Sequence, residues 1–262
     1  MRLKNKIALV TGASGGIGKA IVLQLAKEGA DIILHYHQDE LAANEVAESI
    51  KAYDVKVHIL KATLEFTDDA TDLGKKAWEL FGRIDFLINN SGVSYKKHFL
   101  DYTEQDIDHF ININFKGTLF LTQTIARKMV EHNVEGSIYS ITSINGIQPG
   151  VGQSVYGASK GALETLMKGV ALELAPHNIK VNTLAIGAIQ TDMNAVVWKD
   201  PEKLALVNEN IPMNRLGQPE EVASVIVNLL ASGSYMTGST ITIDGGWLLK
   251  HGYEKPKPYK KQ

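Results

Sequence analysis

Short apolar segments alternate with helical patterns along almost the whole chain, and this alternation constrains the fold more than any other feature. The predicted strands are Ile7–Val10, Ile32–His35, Val55–Leu60, Phe86–Ile88, Gly136–Ile141, Lys180–Leu184 and Thr240–Ile243. The predicted helices between them are residues 16–28, 40–52, 68–81, 103–131, 155–175 and 219–231. Several strands are continuously apolar, which is typical of a parallel sheet covered on both faces. The sequence therefore predicts a single-domain, doubly wound α/β fold with a seven-stranded parallel sheet and helices on both faces.

The organisation of the chain is consistent with one domain over residues 1–247. The chain has 262 residues, of which 44% are hydrophobic, enough for one large core. Residues 188–217 interrupt the alternation with short helical patterns, and residues 248–262 form a tail rich in lysine and proline. In open α/β sheets ligands bind outside the carboxyl ends of the strands, so we expect residues 188–217 to be a substrate lid.

The composition excludes several classes of function. The chain has no cysteine, which rules out disulfides, cysteine-ligated zinc, iron–sulfur clusters and thiolate catalysis. Its net charge of −2 provides no basic field for nucleic acid or an anionic membrane. The apolar run Ile7–Val10 is too short for a signal-peptide core, and no run approaches the roughly 18 apolar residues of a membrane span. We expect a cytoplasmic protein without a metal site and without nucleic-acid or membrane partners.

A glycine-rich segment, Thr11–Gly18, separates the first strand from the first helix. Gly12 would permit a tight turn, Gly16 would let the backbone approach a pyrophosphate, and Gly18 would let the helix pack closely. Phosphates bind at such a helix N-terminus because the free N–H groups and the helix dipole attract anions. Three glycines are also compatible with a purely structural turn, but their position after the first strand favours dinucleotide binding.

Ser143 and the pair Tyr156 and Lys160 form a second informative pattern. A tyrosine and a lysine at i and i+4 share one face of a helix. An unperturbed phenol has a pKa of about 10, and a nearby ammonium lowers it by roughly 1–3 units. Such a tyrosine can exchange a proton with an alcohol or carbonyl oxygen near neutral pH, and Ser143 can donate a hydrogen bond to the same oxygen. Alone, the Tyr–Lys pair would usually be a solvated surface pair.

The end of the second strand bears on the choice between the two nicotinamide cofactors. An acidic residue there binds the ribose 2′-hydroxyl and repels a 2′-phosphate. The chain instead carries Tyr36 followed by His37, which favours NADP(H). No arginine is present either, and Gly15 fills another position that is often basic in NADP-dependent enzymes, so NAD stays open. We interpret His35 and His37 as strand-end polarity, since two histidines alone rarely make a metal site.

Together these motifs resemble the single-domain short-chain dehydrogenase/reductase family over residues 3–247. Asn89–Gly92 resembles the family's Asn-Asn-Ala-Gly segment, and Asn114 matches its fourth catalytic residue. Residues Arg215–Glu221 and Thr237–Gly246 resemble its C-terminal signature. The resemblance implies a Rossmann fold and an NAD(P)(H)-dependent oxidoreductase that interconverts a ketone or aldehyde and an alcohol.

The resemblance also implies roles for individual residues. Tyr156 would be the general acid in reduction and the general base in oxidation, while Lys160 would lower its pKa and hold the nicotinamide ribose. Ser143 would orient the substrate oxygen, and Asn114 would hold a water that relays protons. The residues implied to bind the cofactor are Gly12, Ser14, Gly15, Gly16, Ile17, Gly18, Tyr36, His37, Thr63, Leu64, Asn90, Ser91, Gly92, Tyr156, Lys160, Gly187, Ile189 and Thr191.

Three positions depart from the family pattern. Thr63, followed by Leu64, stands where an aspartate usually binds the adenine amino group, and a threonine offers no charge to assist that hydrogen bond. Ile186 replaces a proline after the sixth strand, which predicts a more mobile loop. Leu172 stands where 3-oxoacyl-(acyl-carrier-protein) reductases often carry arginine, which weakens that specific function without excluding it.

Several functions stay open within this framework. The substrate is a small molecule, either a 3-oxoacyl thioester, a sugar or polyol, or a small ketone. Lys96 and Lys97 could attract an anionic substrate, although adjacent lysines are more often just solvated. A non-catalytic dinucleotide sensor is an alternative, disfavoured because Tyr156 and Lys160 are both present. Family members are mostly homotetramers, so we expect a homotetramer.

Overall fold

The computed structural model describes residues 1–232 and 235–250 and confirms the doubly wound α/β fold. Within these residues seven strands form one sheet, and every neighbouring pair is parallel. The strands are β1 (Ile7–Val10), β2 (Asp31–Tyr36), β3 (Val57–Lys61), β4 (Phe86–Asn89), β5 (Ser137–Ser143), β6 (Lys180–Ile186) and β7 (Thr240–Ile243). Their spatial order is β3-β2-β1-β4-β5-β6-β7, so the direction in which successive strands are added to the sheet reverses between β1 and β4.

The helices cover both faces of this sheet. In the described part of the chain they are α1 (Gly16–Lys27), α2 (Glu40–Ile50), α3 (Thr67–Phe81), α4 (Glu104–Ile111), α5 (Thr118–Glu131), α6 (Ser154–Leu174), α7 (Ala195–Trp198), α8 (Pro201–Glu209) and α9 (Pro219–Ser232). Leu25 of α1 and Ile226 of α9 belong to the core on one face. Leu73 of α3, Ile125 of α5 and Met167 of α6 belong to the core on the other. Each such side chain contributes about 1.5–3 kcal/mol of burial free energy, which holds the two layers on the sheet.

The predicted helix 103–131 is interrupted. Its first part, α4, begins with a reciprocal cap in which Thr103 accepts from the Asp106 amide and the Asp106 carboxylate accepts from the Thr103 amide. Residues Asn112–Gly117 then form a π-helical turn before α5 begins. π-turns are rare and concentrate at functional sites. The prediction of one continuous helix was therefore wrong in this detail, because apolar periodicity does not reveal a single widened turn.

Two central strands run two residues further than the sequence predicted. β5 ends at Ser143 and β6 at Ile186, and these two residues are paired with each other. Ile186 is also paired with Ile243 of β7. Ser143 therefore lies at the carboxyl edge of the sheet, where ligands bind in this fold. Ile186 belongs to the sheet and not to the loop in which its missing proline was expected to matter.

The segment 188–217 contains the short helical elements that the sequence predicted. A single 3₁₀ turn, Asp192–Asn194, leads directly into α7, and α8 follows. An isolated parallel bridge between Ile189 and Gly217 joins the two ends of the segment. None of the helices in residues 1–232 and 235–250 is long and apolar enough to cross a membrane. Most of the lysine-rich tail, residues 251–262, lies outside the described residues.

Candidate active site

The glycine-rich segment forms a tight turn that opens α1. Gly12 and Gly16 have φ angles of 62° and 51°, the left-handed region that favours glycine. A Cβ on Gly18 would lie 2.2 Å from the Gly12 carbonyl oxygen, so no larger residue fits there. Nothing lies within 4 Å of the position that a Gly15 Cβ would take. The segment, which includes Ser14 and Ile17, thus leaves the first amides of α1 accessible to an anion, as a dinucleotide pyrophosphate requires.

Side chains from two strand ends hold this turn in place. The Asn90 side chain, after β4, donates to the carbonyl oxygens of Thr11 at 2.9 Å and Gly12 at 3.1 Å. The Thr11 hydroxyl accepts from the backbone amides of Asn90 and Ser91, both at 2.9 Å. Asn90 was predicted to bind the cofactor, and in the structure its side chain fixes the shape of the turn. Thr11 was missed as a functional position, although it opens the glycine-rich segment.

Tyr36 and His37, at the end of β2, differ in their exposure to solvent. His37 is exposed, whereas Tyr36 is buried in the core beside α1 and α2. Burial and the neighbouring Glu40 carboxylate raise the pKa of Tyr36. The sequence showed no acid at the strand end itself, but Glu40, the first residue of α2, brings one close to it.

His35 does not fit the interpretation as strand-end surface polarity. Its side chain is only 1% exposed, and both ring nitrogens contact backbone groups. Burial lowers the pKa of His35 to about 4, so the ring is neutral at pH 7. The interpretation was wrong for this residue because its side chain is enclosed between the glycine-rich turn and the segment after β3.

The two predicted cofactor residues after β3, Thr63 and Leu64, differ in their burial. Thr63 is half-buried, and its hydroxyl accepts weakly from the Glu65 amide at 3.4 Å. Leu64 is buried, and a Cβ on Gly117 would lie 2.0 Å from the Leu64 carbonyl oxygen. The Leu64 side chain is part of the core, and its backbone carbonyl packs closely against Gly117 of the π-helical turn.

Ser143 and Tyr156 meet at the carboxyl end of β5. The Ser143 hydroxyl accepts from the Asn145 amide at 3.1 Å, which fixes its position. Burial raises the pKa of Tyr156, and hydrogen bonds with the Ser143 and Ser94 side chains act in the opposite direction but are outweighed. The expectation that Lys160 lowers this pKa is thus not met, because desolvation of the phenol dominates. Tyr156 is protonated at neutral pH, as a proton donor must be.

Lys160 lies one turn after Tyr156 on α6 and is buried. Its ammonium donates to the Ile141 carbonyl oxygen at 3.0 Å. Burial lowers the pKa of Lys160 to about 8, so this lysine can gain or lose a proton within the range in which enzymes work. A Cβ on Gly92 would lie 3.0 Å from both the Lys160 Nζ and the Asn114 Oδ1, so Gly92 leaves the space between them open.

Asn114 lies within the π-helical turn and is fully buried. Its Oδ1 accepts from the Val93 amide at 2.9 Å, and its Nδ2 donates to the Val93 carbonyl at 3.0 Å. Nδ2 also donates to the Ser159 hydroxyl at 3.0 Å, and Ser159 donates to the Tyr156 carbonyl at 2.7 Å. Asn114 thereby joins the loop after β4 to the helix that carries the tyrosine.

The loop after β6 lies beside the N-terminus of α1 and forms a further side of the candidate site. The Gly187 amide donates to Ile243 at 2.9 Å, and Ile189 is buried. A Cβ on Gly16 would lie 3.3 Å from the Thr191 side chain, so Thr191 stands next to the N-terminus of α1. The Trp198 indole donates to the Thr191 carbonyl at 2.8 Å and anchors the loop to α7. Of the residues predicted after β6, Thr191 is the one that these contacts bring against the glycine-rich turn.

The loop after β4 and helix α4 both contribute contacts to Tyr156. Ser94 interacts with the Tyr156 hydroxyl, and the buried Phe110 ring lies 6.1 Å from the Tyr156 ring. The Lys97 ammonium forms an ion pair with Asp106, which favours a structural role over attraction of an anionic substrate. Within the described residues, no three histidine, aspartate or glutamate side chains come close enough to hold a metal ion.

Known proteins are similar to this chain in both sequence and architecture. A family model described as Enoyl-(Acyl carrier protein) reductase matches residues 12–248. A 3-oxoacyl-(acyl-carrier-protein) reductase of Aquifex aeolicus is 36% identical over 94% of this chain and 98% of its own. The L-rhamnose 1-dehydrogenase (NADP(+)) of Thermoplasma acidophilum is 34% identical over 94% of this chain and 97% of its own.

Solved structures agree with these sequence relatives. A short chain dehydrogenase from Burkholderia cenocepacia in complex with NADP has a TM-score of 0.88 and 32% identity, over 95% of this chain and 100% of that one. An acetoin dehydrogenase from Enterobacter cloacae has a TM-score of 0.88 and 36% identity, over 96% and 98%. The chain therefore belongs to the short-chain dehydrogenase/reductase family and is an NAD(P)-dependent oxidoreductase that interconverts carbonyl and alcohol groups.

Proposed function

We propose that Tyr156 is the proton donor and acceptor of this reaction and that Ser143 positions the substrate oxygen. The observation that carries the proposal is the contact between these two hydroxyls at the carboxyl edge of the sheet, where desolvation raises the pKa of the phenol and keeps it protonated. In reduction the phenol gives its proton to the carbonyl oxygen as that oxygen becomes a hydroxyl, and in oxidation the direction reverses. The nicotinamide cofactor, when bound, supplies or accepts the hydride.

Lys160 and Asn114 complete the proposed site. With its pKa lowered to about 8, Lys160 can return a proton to Tyr156, and it is placed to hold the nicotinamide ribose. Asn114 keeps the Val93 loop and α6 at a fixed separation and would hold the water that connects Lys160 to solvent. The raised pKa of Tyr156 favours reduction at neutral pH and oxidation at alkaline pH, because oxidation needs the phenolate.

Substitution of Ser143 tests this arrangement. Ser143→Ala should lower kcat/KM for a responsive ketone by roughly 10²-fold or more, because a hydrogen bond to the reacting oxygen is lost. Ser154→Ala, at an exposed serine that begins α6, is the matched control and should leave turnover unchanged. Turnover of Ser143→Ala within threefold of wild type would refute the assignment of Ser143.

For the cofactor, we propose a preference for NADP(H) over NAD(H). Support comes from Tyr36, which stands where an acid would repel the 2′-phosphate, and from the open space beside Gly15. The nearby Glu40 acts in the opposite direction. Titration calorimetry with NADPH and NADH decides between them, and tighter NADH binding would overturn the preference. The residues proposed to hold the cofactor are Gly12, Ser14, Gly15, Gly16, Ile17, Gly18, Tyr36, His37, Thr63, Leu64, Asn90, Ser91, Gly92, Tyr156, Lys160, Gly187, Ile189 and Thr191.

The substrate is proposed to be a secondary alcohol or the corresponding ketone. One relative is named a 3-oxoacyl-(acyl-carrier-protein) reductase and another an L-rhamnose 1-dehydrogenase, so both chemistries deserve testing. Against the first, Leu172 is 79% exposed on α6 and offers no charge for an acidic carrier protein. Initial rates with a 3-oxoacyl thioester, aldoses and small ketones separate these possibilities.

The segment 188–217 is proposed to be the substrate lid of a catalytic domain that spans residues 1–247. Met193, Val196 and Leu206 are largely exposed apolar side chains on this segment, as expected of a lid that packs on an organic substrate. Limited proteolysis with and without NADPH tests the lid, since closure should slow cleavage between residues 188 and 217.

A cytoplasmic homotetramer is proposed as the assembled enzyme. Ile107 on α4 and Leu172 on α6 are exposed apolar residues on the helices that join subunits in most family members. Light scattering at micromolar concentration tests the proposal, and a monomeric mass would contradict it.

A further inference from the structure

His35 is a buried histidine with a backbone partner for each ring nitrogen. Nδ1 lies 3.2 Å from the Gly12 amide nitrogen, and Nε2 lies 3.2 Å from the Ala62 carbonyl oxygen. An amide N–H can only donate and a carbonyl can only accept, so Nδ1 accepts a hydrogen bond and Nε2 carries the proton. The two partners therefore fix one neutral tautomer of the ring.

These contacts connect two separate segments at the carboxyl edge of the sheet. Gly12 begins the glycine-rich turn, and Ala62 directly precedes Thr63. The His35 backbone carbonyl also accepts from the Ala13 amide at 2.9 Å. One residue of β2 thus holds the first two amides of the turn on one side and the end of β3 on the other.

We propose that His35 is a positioning residue for the cofactor, which sets the spacing between the glycine-rich turn and the segment Ala62–Leu64. The inference rests on the proposed function, in which the turn holds the pyrophosphate and Thr63 the adenine. Because His35 satisfies the Gly12 and Ala13 amides, the diphosphate is left with the amides from Ser14 onwards. Without the imidazole the Gly12 amide is buried with no acceptor, which is unfavourable, and the turn shifts away from its binding geometry.

Three substitutions at this position separate the two ring contacts. His35→Asn retains an acceptor near the Nδ1 position, His35→Gln retains a donor near the Nε2 position, and His35→Leu retains neither. Calorimetric titration with NADPH, and with 2′-phospho-ADP-ribose, which lacks the nicotinamide, measures the effect on the adenine and diphosphate end alone. His58→Leu is the matched control, because His58 is an exposed histidine of the neighbouring strand β3.

We expect His35→Leu to weaken both ligands roughly tenfold, with kcat at saturating NADPH within about twofold of wild type. His35→Asn should recover affinity to within about threefold of wild type, with His35→Gln between the two. A general loss of folding would instead lower kcat and the thermal midpoint together. Equal NADPH affinity in wild type and His35→Leu would overturn the inference, as would an Asn variant as weak as the Leu variant. If wild-type protein bound neither NADPH nor NADH, the proposed function would fail and this inference with it.

Discussion

The buried charge of Lys160 serves catalysis but should lower the stability of the native state. Replacement of Lys160 by methionine measures the free energy of unfolding that is lost. The Lys160 side chain is buried, and burial lowers its pKa from 10.5 to about 8. At about 1.4 kcal/mol per pKa unit, this difference means that the charged lysine destabilises the native state by roughly 3 kcal/mol below pH 8. Loss of the hydrogen bond to Ile141 returns about 1 kcal/mol. Lys160→Met should therefore raise the free energy of unfolding at pH 7 by about 2 kcal/mol.

The pH dependence gives this prediction its sign. Between pH 8 and pH 10.5 the unfolded chain holds more protons on Lys160 than the native protein does. The stability of the wild type therefore rises with pH in this range, and its deficit relative to Lys160→Met shrinks. Urea unfolding of both proteins at pH 7 and pH 10 measures the two gaps. Lys76→Met, at an exposed lysine of α3, controls for the loss of a positive charge.

Two results would refute this reasoning. If Lys160→Met were less stable than wild type at pH 7, the lysine would be supported by interactions that outweigh its desolvation. If the gap between the two proteins were the same at pH 7 and pH 10, the buried charge would not be its cause. Activity should be lost in Lys160→Met in either case, so the stability measurement is independent of the assay for turnover.

Three further predictions concern the neighbouring residues. Gly92→Ala places a Cβ 3.0 Å from both Asn114 Oδ1 and Lys160 Nζ, so kcat should fall about tenfold or more while the thermal midpoint stays within a few degrees; unchanged kcat would contradict the geometry. Glu40→Gln removes a negative charge near the ribose end of the site, so the ratio of NADPH to NADH affinity should rise roughly fivefold by calorimetric titration; a constant ratio would place Glu40 outside the site. The pKa of His35 falls from 6.5 in an unfolded chain to about 4, so the native protein should lose roughly 2 kcal/mol of stability between pH 7 and pH 5. In denaturant unfolding, the free energy of unfolding of His35→Gln should fall less than that of wild type between pH 7 and pH 5, by the amount just given. An identical fall in both proteins would contradict the burial of the ring.

The parts of the site that depend on local spacing could be predicted from the sequence. Tyr156 and Lys160 are one turn apart on a helix, so their proximity follows from helical geometry alone. The glycine-rich turn follows β1 directly, and the alternation of strands and helices implies that β1 and β5 end at the same edge. Ser143 and the turn are therefore expected at the same edge of the sheet without any knowledge of side-chain packing.

Other features depend on contacts between distant segments, which spacing does not encode. The widened turn around Asn114 has the same apolar periodicity as a regular helix. His35 looked like surface polarity because its partners, Gly12 and Ala62, lie in the segments that follow two other strands. The direction of the Tyr156 pKa shift was mispredicted, since the i+4 lysine suggested a lower value while burial by the surrounding loops raises it.

The most direct test of the central claim is single-turnover reduction of a ketone by NADPH in Tyr156→Phe. Removal of the phenolic proton should slow the chemical step by at least roughly 10²-fold, the lower range for general acid catalysis. NADPH affinity should stay within about threefold of wild type, because the lost hydroxyl carries no charge at neutral pH. Tyr102→Phe, whose hydroxyl donates to the Gly152 carbonyl at 3.4 Å, is the control and should turn over normally. A Tyr156→Phe enzyme with wild-type single-turnover rates would contradict the account, because another group would then supply the proton.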